Sequence, residues 1–324
     1  MTFISSVIAK EGVAIISDSL VTTSHPVIEF NDFVRFFESK SKKTANSSIK
    51  LDPKEIVDLF ETKPHHTKDF EEKLFEYDKY TAITTAGFAN INGKRIKDII
   101  EEIKDKNTKD RGYKSKKIET KVKDFCENLT KEVKDHLSSK TTIRNVTFII
   151  TNFNQRKNIT SIYKVNVISA SQKNLNEDDF EFVTYSKTND YEKVVCDGQN
   201  RISEKILFGD FPTVYNIIPK IAMRLADDFN IDKKKITKKY IDSLRKDKDI
   251  VPKSMFSDMK IIRLSDLSLQ QAVDLASLLM RLEIDLQNYT EEIPTVGGVI
   301  KLAVIDKKGF RYLSGHEIEK PNNI

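Results

Sequence analysis

Met1-Thr2-Phe3-Ile4-Ser5-Ser6-Val7-Ile8-Ala9-Lys10-Glu11-Gly12-Val13-Ala14-Ile15-Ile16-Ser17-Asp18 opens the chain and decides how the rest is read. It divides into a strand, a tight turn at Lys10-Glu11-Gly12 and a second strand, with Gly12 expected to supply the positive φ of the turn. Both arms are rich in Val, Ile and small residues, the composition of strands buried against another layer. The first strand begins at once, with no signal peptide and no polar lead-in. Loss of Met1 would leave Thr2 with a free α-amine at the tip of a buried strand. A hydroxyl nucleophile would then carry its own base on the same residue.

Three stretches extend this reading. Asp18-Ser19 closes the second strand. Lys73 opens a strand, turn and strand that end in Ala86-Gly87, and Thr295-Val296-Gly297-Gly298-Val299-Ile300-Lys301-Leu302 lies near the C-terminus. In this order and spacing they resemble proteasome β subunits, whose mature chains open on threonine. The Met-Thr start, the Val-Gly-Gly segment and Ile202-Ser203-Glu204-Lys205-Ile206-Leu207 are most similar to the bacterial proteasome-related Anbu proteins.

The resemblance implies an α+β fold, a four-layer αββα sandwich of the N-terminal nucleophile hydrolase type. It implies Thr2 as nucleophile, Lys73 beside it on the neighbouring strand, Asp18 holding Lys73 charged and oriented, and the Gly87 N–H facing the oxyanion. Val21, Thr85 and Ala89 would line an uncharged pocket, with Glu71 a possible addition to its wall. Where that family carries a serine beside the nucleophile, this chain has Asp197 in Cys196-Asp197-Gly198, and Asp197 is expected to bond the Thr2 amine directly. The family's later Asp-x-x-Ser becomes Ile293-Pro294-Thr295-Val296. Taken one at a time, each residue also has an ordinary structural reading: a permissive second residue, a charge pair, a turn glycine.

Composition narrows the class independently. At 324 residues, 39% hydrophobic and 32% charged, the chain can bury a large core. No apolar run has the length of a membrane span. Cys126 and Cys196 form no CxxC pair, which suits a reducing cytoplasm and argues against a zinc site or disulfide scaffold. The net charge of +5 is dispersed among 49 acidic residues. Its densest basic stretch, Lys104 to Lys123, lacks interleaved aromatics and reads as a solvated helix end and loop rather than a nucleic-acid surface. No cofactor or metal is implied; His65-His66 reads as an exposed loop pair without further ligands.

Along the chain, Ile96, Ile99, Ile100 and Ile103 mark one helix, and Ile118, Val122, Phe125, Cys126, Leu129, Val133 and Leu137 a second. Cys126 and His136 read as core and rim. Strands are expected at 145–151, 161–169, 180–185 and 194–196. Asp210-Phe211-Pro212 reads as a helix start, with Val214, Ile217, Ile218, Ile221, Leu225 and Phe229 on one face and a kink at Pro219. Ile236, Tyr240, Ile241 and Leu244 read as a short helix. Ser268-Leu269-Gln270-Gln271 is a capping box before a helix apolar on most sides, with Ala272, Leu275, Ala276, Leu279, Leu282 and Leu286. A hairpin across Lys307-Lys308-Gly309 ends the pattern. The organisation expected is one domain over 1–316, with insertions at about 24–72 and 210–260 and a mobile tail at 317–324.

The function expected is a threonine peptidase acting on peptides or proteins inside a homo-oligomeric ring or spiral, with an ATPase unfoldase as a possible partner and no membrane. An amidohydrolase of small amides and a catalytically silent structural subunit are the rival readings.

Overall fold

The computed structural model describes residues 2–41, 52, 55–56, 59–68, 71–109, 112–188, 193–209, 211–236, 264, 266–287, 289 and 294–314. The opening stretch forms β1 (Phe3–Ile8) and β2 (Gly12–Ser17), antiparallel, with Ile4 opposite Ser17 and Ile8 opposite Val13. Gly12 takes no positive φ there. A Cβ on it would lie 2.2 Å from the Ile305 carbonyl oxygen, so the glycine answers a close approach of two backbones and not the demand of the turn.

Next come β3 (Val21–Val27), α1 (Phe30–Ser41) and β4 (Glu61–Lys68), with β3 and β4 paired as a two-stranded ribbon. His65 and His66 therefore lie in a strand and not in a loop. Glu61–Lys68 is polar throughout and has no period-two apolar pattern, so its strand is decided by pairing with β3 and not by local signal. β5 (Leu74–Asp78) and β6 (Thr81–Gly87) follow, then a small hairpin of β7 (Asn90–Ile91) and β8 (Lys94–Arg95).

The two helices read from isoleucine and leucine periodicity are α2 (Ile96–Thr108) and α3 (Ile118–Ser139), and they bury the residues named for them apart from half-buried Ile118. β9 (Thr142–Ile143), β10 (Val146–Asn154), β11 (Ile159–Val167), β12 (Ala170–Ser171), β13 (Val183–Lys187) and β14 (Val194–Gly198) continue the chain. β13 starts later than expected, and Phe180 and Phe182 ahead of it pack edge to face and join the core under α3.

α4 (Arg201–Phe208), α5 (Phe211–Asp228, with Pro219 inside it) and α6 (Lys233–Ile236) come next. Ile217, Ile221, Leu225 and Phe229 leave the apolar face of α5 exposed. α7 (Leu269–Gln287) opens on the expected box: Ser268 N–H donates to Gln271 Oε1 at 2.9 Å and Gln271 N–H to Ser268 Oγ at 3.2 Å. Its buried face differs from the expected one. Leu286 is exposed, while Glu283 and Gln287 are buried. β15 (Lys301–Asp306) and β16 (Gly309–Tyr312) close the order. Asp210, Tyr240, Ile241, Leu244, Ile293 and the tail lie outside the described residues.

The result is a mixed α+β fold with antiparallel sheets. One sheet runs β14-β1-β2-β15-β16 and another β13-β11-β10-β6-β5. Strand alternation sorts their side chains. Phe3, Val7, Ala14, Ile16 and Val304 of the first sheet pack on Ala272, Val273, Ala276, Leu279 and Met280 of α7. Val13, Ile15, Ala303 and Ile305, on the other face, meet Leu74, Ala82 and Phe153 of the second sheet. Ile83, Phe148, Ile150 and Val165 then pack on α2 and α3. With both faces covered, the central strands read as nearly continuous apolar runs. Among the described residues no helix is long and apolar enough to cross a membrane.

Candidate active site

Thr2 lies just before β1, at the end of a strand held on both sides. Ser6, which alternation puts on the same face as Thr2 and Ile4, meets Thr151 of the second sheet, Oγ to Oγ1 at 2.9 Å. The Thr2 carbonyl accepts the Gln199 N–H at 2.5 Å. Gly198 passes so close that a Cβ on it would stand 1.9 Å from that same carbonyl oxygen, and its φ is +87°. Only glycine fits both the left-handed backbone and the gap.

Asp18 follows the last residue of β2. Its Oδ1 accepts the Phe3 N–H at 3.1 Å, and its Oδ2 accepts the N–H groups of Leu20 and Gly297, both at 3.2 Å. Lys73 comes from the other sheet. The resemblance puts it on the strand beside Thr2; it stands instead just before β5, the edge strand of the second sheet. Its Nζ donates to Asp18 Oδ1 at 3.0 Å, to the Leu20 carbonyl at 2.5 Å and to Thr2 Oγ1. Thr2, Asp18 and Lys73 are 2%, 1% and 7% exposed, so the three meet in a dry environment.

Burial pushes the Asp18 carboxyl up, against the pull of Lys73 and of the Gly297 and Phe3 N–H groups. Burial likewise pushes the Lys73 ammonium down, against the attraction of Asp18 and, more weakly, of Glu71. Desolvation thus brings the lysine towards giving up its proton. An ammonium has three hydrogens and no acceptor. Asp18 and the Leu20 carbonyl can only accept, so two of the three contacts are fixed in direction. The third, to Thr2 Oγ1, is the one that can reverse. A neutral Lys73 would take the hydroxyl proton through it.

The other expected residues fall as follows. Gly87 ends β6 with φ +108°, and a Cβ on it would lie 2.5 Å from the Asn145 carbonyl oxygen. Its glycine is explained by Asn145 before any substrate is considered. Thr85 is buried and donates its N–H to the Lys73 carbonyl at 3.0 Å. Its side chain shares the Ile83 and Phe148 face, whereas Ala86 is the residue of β6 packed near Ile4. Val21 is half-buried at the start of β3, and Ala89, also half-buried, accepts the Ile96 N–H. Glu71 N–H bonds the Ser19 carbonyl at 3.1 Å.

Asp197 is not brought to Thr2. Its Oδ2 pairs with Lys164 Nζ at 2.7 Å and its Oδ1 accepts the Gly198 N–H at 2.7 Å. It stands opposite Ile4 in the β1–β14 ladder, two positions further in than the nucleophile, and its charge is taken by the facing sheet. Cys126, its thiol pushed up to about 12 by burial, is core. His136 accepts the Asn92 N–H at Nδ1, 2.8 Å away, and braces the β7–β8 hairpin.

Four further polar residues surround the site, Gln199, Thr295, Gln287 and Glu283, and none is expected from the sequence to bond there. Only the last two could have been noticed, as polar residues at i and i+4 continuing the Ala272–Ala276–Met280 face of α7. Among the described residues, no cluster of His, Cys, Asp and Glu could hold a metal. No protein-family model and no curated protein matches the chain.

Proposed function

We propose that the chain is an N-terminal threonine peptidase of proteasome type, similar to the Anbu proteins, with Thr2 as nucleophile. The observation that carries this is the buried Lys73 Nζ, bonded at once to Thr2 Oγ1 and to Asp18. The sheet-to-sheet core, with α2 and α3 covering one outer face and α7 the other, supports the four-layer αββα sandwich as its scaffold. The ribbon β3–β4 with α1, and helices α5 and α6, are then the two insertions on one domain.

After loss of Met1, the Thr2 hydroxyl attacks a peptide carbonyl while Lys73 or the freed α-amine takes its proton. The tetrahedral oxyanion is met by backbone N–H, with Gly87 the proposed donor. The C–N bond breaks, the departing amine takes the proton, and an acyl ester stays on Thr2. Water then hydrolyses the ester and restores the hydroxyl. Assembly into a homo-oligomer would keep such a site from the rest of the cell.

The test is covalent. A peptide β-lactone or boronate should attach to Thr2 Oγ1, and intact-mass measurement should show chains beginning at Thr2. An adduct elsewhere, or full activity on chains retaining Met1, would overturn the proposal.

A further inference from the structure

The face of α7 that packs on β1 and β2 ends in buried Gln287, whose amide is bonded through both its nitrogen and its oxygen. Its Nε2 donates to the Glu283 carbonyl at 2.9 Å, one turn back, which fixes the way the amide faces. Its Oε1 accepts the Thr295 N–H at 2.6 Å and the Val296 N–H at 3.1 Å.

Two branches run from there to the site. In one, the next residue, Gly297, donates its N–H to Asp18 Oδ2 at 3.2 Å. Its carbonyl accepts the N–H groups of Ser19 at 3.1 Å and Leu20 at 3.0 Å, and the Leu20 carbonyl is itself an acceptor for Lys73. In the other, the Thr295 hydroxyl donates to Gln199 Oε1 at 3.0 Å, and the Gln199 N–H holds the Thr2 carbonyl at 2.5 Å.

We infer that Gln287 is a positioning residue for Thr2 and Asp18, a buried amide that fixes from behind both loops on which they are held. Ile293-Pro294-Thr295-Val296 supplies no carboxylate of its own. The order that a carboxylate and serine would give is supplied here by backbone N–H groups gathered on one side-chain oxygen. Losing that oxygen leaves two buried N–H groups without an acceptor, and the loop must move to satisfy them. The effect on turnover rests on the peptidase reading above; the effect on Lys73 does not.

The test compares Gln287→Leu, similar in size without the acceptor, with Gln287→Glu, whose protonated form keeps an oxygen facing both N–H groups and an O–H for the Glu283 carbonyl. In Gln287→Leu, kcat on a fluorogenic peptide should fall about 10²-fold with KM nearly unchanged, the loss expected from a displaced catalytic group. The Lys73 titration, followed by NMR on ¹³C-lysine protein, should move, because Asp18 and the Leu20 carbonyl, both held through Gly297, shift relative to the ammonium. Gln287→Glu should restore both.

A folded Gln287→Leu protein with wild-type kcat and an unmoved Lys73 titration would overturn the inference, as would losses that Gln287→Glu fails to restore. Should the wild type show no Thr2-dependent turnover, the peptidase reading falls and the Lys73 titration alone decides this one. If Gln287→Leu does not fold, Thr295→Val, of the same shape, decides through the Gln199 branch: a kcat loss of about tenfold is expected, and no loss overturns the inference.

Discussion

Two lysine–aspartate pairs tie the sheets together, and they differ in almost everything except residue type. The side chains of Lys73 and Asp18 are 8% and 0% exposed and the pair ends on the hydroxyl of Thr2; those of Lys164 and Asp197 are 32% and 23% exposed and the pair ends on a backbone N–H. The buried pair is costly to keep charged, since neither ion retains its water. Its lysine is pushed down, which on the proposed reading lets it exchange a proton with the threonine. The rim pair keeps part of its hydration and does the ordinary work of joining β11 to β14. Burial, more than the identity of the partners, separates a chemically poised pair from a structural one.

The largest effects should come from the buried side of this comparison. Thr2→Ala and Lys73→Ala should each lower kcat by at least about 10³-fold, and the double substitution should cost little more, because the two act as one unit. Thr2→Ser should retain part of the rate. Steady-state kinetics on a peptide substrate would show this. Additive losses would mean that Lys73 does not serve the Thr2 hydroxyl.

Asp18→Ala should destabilise the fold by about 3–5 kcal/mol, since it leaves a buried ammonium without its counter-ion and three N–H groups without their acceptor. Urea unfolding at neutral pH would measure it. A value below about 1 kcal/mol, the range of exposed pairs, would place Asp18–Lys73 with Lys164–Asp197 and remove the contrast.

The pairs also differ in how legible they were. The opening hairpin, α2, α3 and the capping box are legible because apolar period and turn chemistry are local. Thr2, Asp18 and Lys73 are recognisable as a set by order and spacing, and the fold joins them by hydrogen bonds. Which sheet delivers Lys73 is not legible, since a residue just before a strand carries no mark of the strand's place in the order. The true partner of Asp197 is equally hidden, since nothing local announces Lys164, which reaches it from a strand of the other sheet. Gln287 shows as a polar residue on the buried face of α7, but what it bonds is hidden for the same reason: its partners, Thr295 and Val296, are loop backbone beyond the end of its helix. The polar strand β4 and the exposed Leu286 are cases where the pattern was weak or the buried face was rotated.

The pH dependence of turnover sharpens the contrast further. The Lys73 ammonium is pushed down by burial, so its neutral form appears at lower pH than that of a free lysine. Turnover should rise with pH through about 7–8 as the freed α-amine loses its proton, and the lowered lysine works in the same direction. Asp18 raises the proton affinity of Lys73. Asp18→Asn removes that charge, so the rising limb of the profile should shift to lower pH, at a reduced maximum rate. A profile that moved to higher pH would mean that Asp18 does not hold the lysine's proton.

The smallest effect belongs to the rim, and it decides what Asp197 is for. Lys164→Met removes the ammonium while keeping most of the side chain's length. If Asp197 only joins the sheets, the loss is that of one partly exposed ion pair, about 0–1 kcal/mol, and its carboxylate regains water in exchange. The Gly198 N–H bond, 2.7 Å, would remain, so the tight passage of Gly198 beside the Thr2 carbonyl would be undisturbed. Turnover, its pH profile and the rate of labelling by a β-lactone should then match the wild type. The alternative, that Asp197 orients the freed amine of Thr2, makes the opposite demand. Lys164 would balance a charge aimed at the nucleophile, and removing it would alter the amine's proton affinity and move the profile. A Lys164→Met protein with wild-type unfolding but a displaced pH profile would return Asp197 to the site and reduce the difference between the two pairs to one of degree.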